Sequence, residues 1–588
     1  MKNLKCEKLK MLKDKIKNLI KKVILEAQKK KKLPKFKIPE ISIEHPKDSR
    51  HGDYASNISM QLVSRCKKSP MDIGKILVDK LAGFKKAQDL FEKIEIVKPG
   101  FINFTLSKKW LQEQIAEAIK KSENFGKVNI GKGKIIVIDY SAPNIAKPMS
   151  IGHLRSTIIG QSIYNIYEFL GYRCIGDNHL GDWGTQFGKL IYAYKEWGNR
   201  EKIKQNPIKE LLKLYVKFHN EVEKNPDLED KGREWFKRLE DKDKEALRLW
   251  RWFTKLSLKE FNKIYKLLDI KFDYELGESF YDNMLDDVIK EVQDKGITKE
   301  SKGAIIIPLE EHNLPPLLIQ KSDGATLYAT RDLATAKYRI EKFKPIRIIY
   351  VVGAEQKLYF KQLFKTFELV SYAKGRDFVH VCFGLIRLAG VRMATRKGKV
   401  IFLEDVLEKA IDLARKIVDD KNPNLSEKIK DKIARQIGIG AVKYNDLSQN
   451  RITDITFDWN KMLSLEGNSA PYLQYTHARI CSILKKSKIG LNNKFDSSLL
   501  KDKREIALLR KLYIFPEMVM KAAEEYMPNY IATYLFELAQ NFNLFYNEIR
   551  VLQAEKNVSL ARLHLVKSVS LILKNGLALL GIEAPEQM

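Results

Sequence analysis

The sequence predicts an α/β protein in three parts: a doubly wound parallel sheet in the middle, an α+β region before it and an all-α helical bundle after it. Three observations carry this. Residues from about 126 to 450 alternate short β-branched runs with helical patterns, as strands and crossover helices do. Residues 1 to about 125 mix helices with short strands. Residues 451–588 read as almost entirely helical. At 588 residues, size scaling favours roughly two to four domains over one core.

The elements follow in order. Leu12, Ile16, Leu19, Ile20, Val23 and Ile24 mark the apolar face of a first helix. Strands are expected over residues 135–140, 173–178, 346–352 and 379–383, each a short apolar run. A helix begins near Ser150 and carries Leu154, Ile158, Ile159, Ile163 and Ile166. Residues from about 200 to 270, and on to about 300, break the alternation. They are helical, densely charged and hold Trp235, Trp250 and Trp252, which reads as an insertion between two halves of the sheet. No repeat or low-complexity linker interrupts the chain.

Composition narrows the class. With 106 basic and 74 acidic residues the net charge is +32, a field that suits a polyanion or a Lys-biased proteome equally well. No apolar run reaches the roughly 18–20 residues that span a bilayer. The Lys-rich start, with Glu7 and Asp14 and no early Arg, is neither a signal nor a transit peptide. The five cysteines, Cys6, Cys66, Cys174, Cys382 and Cys481, form no Cys-x-x-Cys pair. A structural zinc site is therefore unsupported, and the scatter fits a reducing cytoplasm. No G-x-x-x-x-G-K-[ST] loop occurs.

The most informative stretch is Ser141-Ala142-Pro143-Asn144-Ile145-Ala146-Lys147-Pro148-Met149-Ser150-Ile151-Gly152-His153-Leu154, between the first expected strand and its helix. A helix N-terminus offers unpaired N–H groups and partial positive charge, so it attracts phosphate. Gly152 lets a nucleotide approach the backbone. The stretch, read through Gly160, resembles the HIGH signature of class I aminoacyl-tRNA synthetases in its arginyl form, with Ser150 in place of the first His and His153 as the second. Taken alone, a Gly-His pair at a helix start is usually an ordinary strand–turn–helix.

Further motifs resemble the same family in the same order. They are His179-Leu180-Gly181-Asp182-Trp183-Gly184, Gly277-Glu278-Ser279, Thr326-Leu327-Tyr328-Ala329-Thr330-Arg331-Asp332 and Gly353-Ala354-Glu355-Gln356. Arg392-Met393-Ala394-Thr395-Arg396-Lys397 is similar to the KMSKS loop, without its usual second lysine.

The resemblance implies a Rossmann-type catalytic domain over 126–450 and an N-terminal tRNA-elbow domain over 1–125. It also implies an anticodon-binding domain over 451–588, running to the last residues. It implies arginine binding by Ala142, Pro143, Asn144, His153, Glu278, Tyr328, Asp332 and Gln356. The nucleotide would lie against Ser150, Gly152, His153 and Met393. Lys147 with Arg392 or Arg396 would stabilise the leaving pyrophosphate. ATP and Mg2+ are the implied cofactors, with no metal ligands from protein. The partners are L-arginine and tRNA(Arg), which is often needed before activation. Phe101 would stack on, and Asn103 read, an elbow base; Tyr526, Tyr530, Tyr534 and Tyr546 are candidate anticodon stackers.

An acid pocket suits a guanidinium, whose planar fork of five donors pairs with carboxylates. A cytoplasmic monomer is expected. A cysteinyl-type synthetase is disfavoured by the missing Cys/His zinc cluster. A non-catalytic tRNA-binding relative stays open because Ser150 and Thr395 depart from the pattern.

Overall fold

The computed structural model describes residues 12–46, 48–388, 401–487, 489 and 494–588. The chain forms two compact units, each discontinuous in sequence.

One unit holds residues up to 130 together with 480–518 and 537–575. The helix Leu12–Lys29 buries Leu12, Ile16, Leu19, Ile20, Val23 and Ile24, the face that the sequence marks as apolar. A three-stranded antiparallel sheet has Phe101–Leu106 in the middle, between Tyr54–Ser56 and Phe91–Val97. Ile102 and Phe104 are fully buried on one face of the middle strand. Glu517 joins the N-terminal sheet to the C-terminal helices. Its carboxylate accepts from Tyr54 Oη at 2.7 Å, lies 3.0 Å from His45 Nε2 and pairs with Lys13 at 3.3 Å. Arg510 pairs with Asp53 at 3.0 Å. Compactness in this unit thus draws on two regions that the sequence reading kept apart.

The other unit holds residues 131–479, 519–536 and 576–588. Its core is a four-stranded parallel sheet: β1 (Ile135–Asp139), β2 (Arg173–Asp177), β3 (Arg347–Tyr350) and β4 (Asp377–His380), in the order β4-β3-β1-β2. The expected strands are all present, each within a few residues. The fourth starts and ends earlier than expected, because residues 381–383 leave the ladder and Phe383 makes only an isolated bridge to Gly353. Strand order reverses between β1 and β3, and ligands of such sheets lie beyond the carboxyl ends of the strands at that reversal. Helix α1 (Ile151–Phe169) follows β1 and packs closely on it: a Cβ at Gly160 would fall 2.3 Å from Tyr140 Cβ.

The segment between β2 and β3 includes the residues, about 200 to 300, that read as an insertion. It contains helices Thr185–Trp197, Arg200–Gln205, Pro207–Val222 and Leu228–Glu240, then α2 (Lys244–Leu267). It also holds a small antiparallel sheet of Lys299–Ser301, Ala304–Ile307 and Leu317–Gln320, which lies almost wholly past the residues read as helical and was not among the expected strands. These strands are three or four residues long, too short to show an alternating pattern. Helix α3 (Tyr328–Phe343) returns the chain to β3. A second difference is the short parallel pair Ile386–Leu388 and Ile455–Phe457, which places one short strand inside the region read as almost entirely helical.

Candidate active site at the sheet reversal

The turn after β1 is built under strain. Ser141, Ala142 and Ala146 hold φ of 75°, 47° and 61°, in the left-handed region that costs non-glycine residues roughly 1–3 kcal/mol each. Three groups of contacts hold them there. Ser141 N–H donates to Ser156 Oγ at 3.0 Å, and its hydroxyl meets Thr157 Oγ1 and Tyr265 Oη at 2.8 Å each. Ala142 N–H donates to Asn178 Oδ1 at 3.1 Å. Ala146 N–H donates to Ser257 Oγ at 3.0 Å. Ser257 and Tyr265 belong to α2, so the inserted helix braces the turn. Beyond Pro143, which is buried, Asn144 is exposed and pairs through its backbone with Gly181. A Cβ at Gly181 would reach 2.4 Å from Asn144 Oδ1, so the two residues pack closely there.

Ser150 caps α1. Its N–H donates to His153 Nδ1 at 3.0 Å, and its Oγ lies 3.1 Å from the same nitrogen. An Nδ1 that accepts from a backbone N–H carries no proton, so the neutral ring holds its proton on Nε2, a donor. Burial, with the Lys147 charge nearby, lowers the His153 pKa and keeps the ring neutral. Gly152 is exposed, and a Cβ there would meet only Ser150 Oγ at 3.4 Å, an ordinary contact. The fold itself does not require glycine at that place. Lys147 Nζ sits 5.2 Å from the Tyr215 ring centroid, over a helix of the insertion. Residues 149–151 pair with 401–403: Ile151 N–H donates to Ile401 O at 3.2 Å and Leu403 N–H to Met149 O at 2.9 Å. Arg392, Met393 and Arg396 lie outside the described residues.

The acidic half lies across the strand ends. Glu278 opens a 3-10 turn (Glu278–Met284), and its N–H donates to Leu180 O at 3.0 Å. Asp182 fixes that turn, accepting from Ser279 N–H at 2.8 Å and from Ser279 Oγ at 2.6 Å. Trp250 of α2 donates Nε1–H to Asp182 O at 2.7 Å. The Gly-rich stretch from His179 thus serves as the wall that seats Glu278. Burial pushes the Glu278 carboxyl up to about 6, against the pull of His179 and Arg331. Asp332, one turn into α3, is raised by burial too, while Tyr359 Oη donates to it and His179 favours its ionisation. Gln356, beyond the end of β3, is exposed one turn before Tyr359.

Two expected residues stand differently. Tyr328 is the first residue of α3 and is 73% exposed, because Ala329 and Thr330 take the buried side of that turn. Asn103 lies in the middle strand of the other unit at 4% exposure, so a base has no open path to its side chain, whereas Phe101 beside it is half-buried. Of the C-terminal tyrosines, Tyr534 is core at 3% exposure. Tyr526 is half-buried with its ring 6.3 Å from Tyr167, and Tyr530 lies under Lys521 Nζ at 4.0 Å. Tyr546 is exposed.

Sequence reasoning missed Tyr359, which bonds Asp332 from 27 residues away, and a buried ion cluster beneath the acids. Arg339 Nη2 lies 2.8 Å from both Asp139 Oδ2 and Asp177 Oδ2, and its Nε is 3.0 Å from the latter. The spacing of Arg339 on α3 was a signal, since it shares a face with Asp332; its partners 162 and 200 residues away were not.

A parallel sheet with a phosphate-attracting helix start at its reversal, and an acidic wall beside it, is the architecture of a class I nucleotide-activating enzyme. Three family models match: "tRNA synthetases class I (R), catalytic domain" over residues 114–459, "DALR anticodon binding domain" over 473–588 and "Arginyl tRNA synthetase N terminal domain" over 11–106. The chain belongs to the arginyl-tRNA synthetase family. It is 47% identical to an arginine–tRNA ligase of Halothermothrix orenii, covering 93% of this chain and 95% of that one. It is 45% identical to an arginine–tRNA ligase of Alkaliphilus metalliredigens over the same shares. The arginyl-tRNA synthetase structure from Plasmodium falciparum superposes with a TM-score of 0.82 at 26% identity, covering 98% of this chain and 99% of that one. That from Thermus thermophilus gives 0.80 at 24%, covering 98% and 100%, a likeness of fold.

Proposed function

We infer that this protein is an arginine–tRNA ligase. It activates L-arginine with ATP and passes it to the terminal adenosine of tRNA(Arg). The observation that carries this is the pair of partly buried carboxylates, Glu278 and Asp332, facing His179 beyond the strand ends and beside the α1 mouth. A guanidinium between them satisfies two acids whose burial otherwise disfavours their charge. A site built for charged hydrogen bonds rejects ligands that lack them by about 10⁴–10⁵.

With the guanidinium there, the amino-acid head lies toward Asn144. An arginine carboxylate oxygen attacks the α-phosphorus of ATP. The new P–O bond forms as the α–β bridging bond breaks, and pyrophosphate leaves. His153 Nε2–H and the Gly152 N–H at the start of α1 donate to phosphate oxygens; Lys147 with Arg392 or Arg396 offsets the leaving charge. The protein contributes positioning and charge stabilisation. A terminal adenosine hydroxyl, the 2′ in this class, then attacks the adenylate carbonyl and releases AMP. Among the described residues no group of three His, Cys, Asp or Glu side chains is arranged for a cation. We assign Mg2+ to ATP, as the counter-ion of its phosphates.

We assign residues 1–125 to the tRNA elbow, with Phe101 as the stacking residue, 126–450 to catalysis and 451–588 to the anticodon. A cytoplasmic monomer fits this role. Among the described residues no helix is long and apolar enough to cross a membrane. ATP–pyrophosphate exchange in the presence of tRNA(Arg) tests the proposal. Exchange is expected with arginine and not with lysine. Tight tRNA binding without exchange would mark a non-catalytic relative instead.

A further inference from the structure

Arg339 is fully buried, 0% exposed, with Asp139 at 6% and Asp177 at 0%. Asp139 and Asp177 are register partners and the last residues of β1 and β2. Two carboxylates side by side in a dry interior repel, and only a fixed cation makes that arrangement tenable. Arg339 does so from α3. A single nitrogen, Nη2, bridges both strands, and Nε adds a second bond to Asp177. Its guanidinium carbon also lies 5.8 Å from the Tyr350 ring, at the end of β3. One side chain therefore ties α3 to the carboxyl ends of three adjacent strands.

What those ends carry gives the cluster its meaning. Asp139 leads into the strained turn that bears Asn144 and the α1 mouth. Asp177 leads into Asn178, which holds Ala142, and into His179, which faces both acids. On α3, Asp332 precedes Arg339 by seven residues, two turns on the same face and about 10 Å along the axis. The head-group end of the arginine site rests on the strands; of the two acids at the guanidinium end, Glu278 sits on the turn held by the loop after β2 and Asp332 on the helix. The cluster is the buried charged contact between the two. It is also incompletely satisfied: among the described residues, Arg339 Nη1, Asp177 Oδ1 and Tyr281 Oη are buried without a hydrogen-bond partner. Three such atoms in one cluster are more than stability alone would retain, since an apolar substitute of the same volume is often no less stable.

We propose that Arg339, with Asp139 and Asp177, is a positioning residue. It sets the distance between the acids that take the guanidinium and the turn that takes the amino-acid head group, and so measures the length of the substrate side chain. This rests on the reading of Glu278 and Asp332 as the arginine site.

The test compares arginine with homoarginine and norarginine, one methylene longer and shorter, in tRNA-dependent pyrophosphate exchange. Arg339→Lys keeps the charge and loses the fork. We expect its arginine KM to rise at least tenfold, with the ATP KM changed less than twofold. The preference for arginine over both analogues should fall at least tenfold. The triple variant Arg339→Met, Asp139→Asn, Asp177→Asn removes the charges together and guards against misfolding from unpaired carboxylates. We expect it to melt within a few degrees of the parent while keeping the relaxed length preference. Unchanged preference in either folded variant would overturn the proposal and leave the cluster a structural ion pair. Asp332→Asn separates the two readings: if it leaves the arginine KM unchanged, the arginine site is elsewhere and both fall. If it raises that KM while the Arg339 variants still discriminate length, only the positioning role fails.

Discussion

The proposed arginine site places recognition on single acids. Removing the charge of Asp332 forfeits a charge-assisted bond to the substrate, worth about 3 kcal/mol. Asp332→Asn should then raise the arginine KM about 100-fold with little change for ATP, as initial-rate exchange kinetics will read. Glu278 gives a pH signature. Its carboxyl titrates at about 6 in the unliganded protein, above the ordinary 4.5, because burial disfavours the charge. A raised carboxylate pKa means that the folded state holds the proton more tightly than the unfolded one. Stability from this group is therefore greatest below 4.5 and falls as pH rises through 6, by about 2 kcal/mol in all. Arginine binding runs the other way, since the guanidinium needs the ionised form. Affinity measured by calorimetry should weaken about tenfold per unit below pH 6, and Glu278→Gln should flatten that slope. The chemistry of these residues was legible in sequence because motifs place an acid at each position. The Arg339 cluster was not: a buried arginine and a surface arginine look alike in one dimension, and only the sheet order brings Asp139 and Asp177 together.

At the scale of elements, the α1 mouth and the turn before it separate what folding needs from what binding needs. Gly152→Ala removes a helix glycine where a Cβ finds ordinary space, so stability should hold or rise by up to about 1 kcal/mol. The same methyl occupies the phosphate approach, so the ATP KM should rise tenfold or more. Thermal melting and exchange kinetics on one preparation will show the opposite signs. The sequence exposed this element well, since a β-branched run, two prolines and a helical apolar face bound it closely. It hid the strain. Ser141, Ala142 and Ala146 are residue types that rarely adopt positive φ, and nothing local announces that α2, a hundred residues on, supplies Ser257 and Tyr265 to hold them. The small sheet within the insertion was hidden by brevity alone.

For the molecule as a whole, net charge +32 matters most toward RNA. Binding through phosphate contacts releases counter-ions, so raising salt from 50 to 200 mM should weaken tRNA affinity by about 10³. The arginine KM measured alongside should move little, since its acids are partly buried and poorly screened. Filter binding over a salt series gives the slope. Strand order has another consequence, for the nascent chain. β1 lies in the middle of the parallel sheet, and β2 reaches one of its edges soon after it leaves the ribosome. The opposite edge waits for β3, roughly 200 residues later, which is about 10–40 s at ordinary elongation rates. Through that interval a row of unpaired amides and carbonyls stands ready to join any passing strand. Slow synthesis of the intervening segment should lengthen the exposure and lower the yield of active enzyme, and a chaperone that shields open sheet edges should restore it.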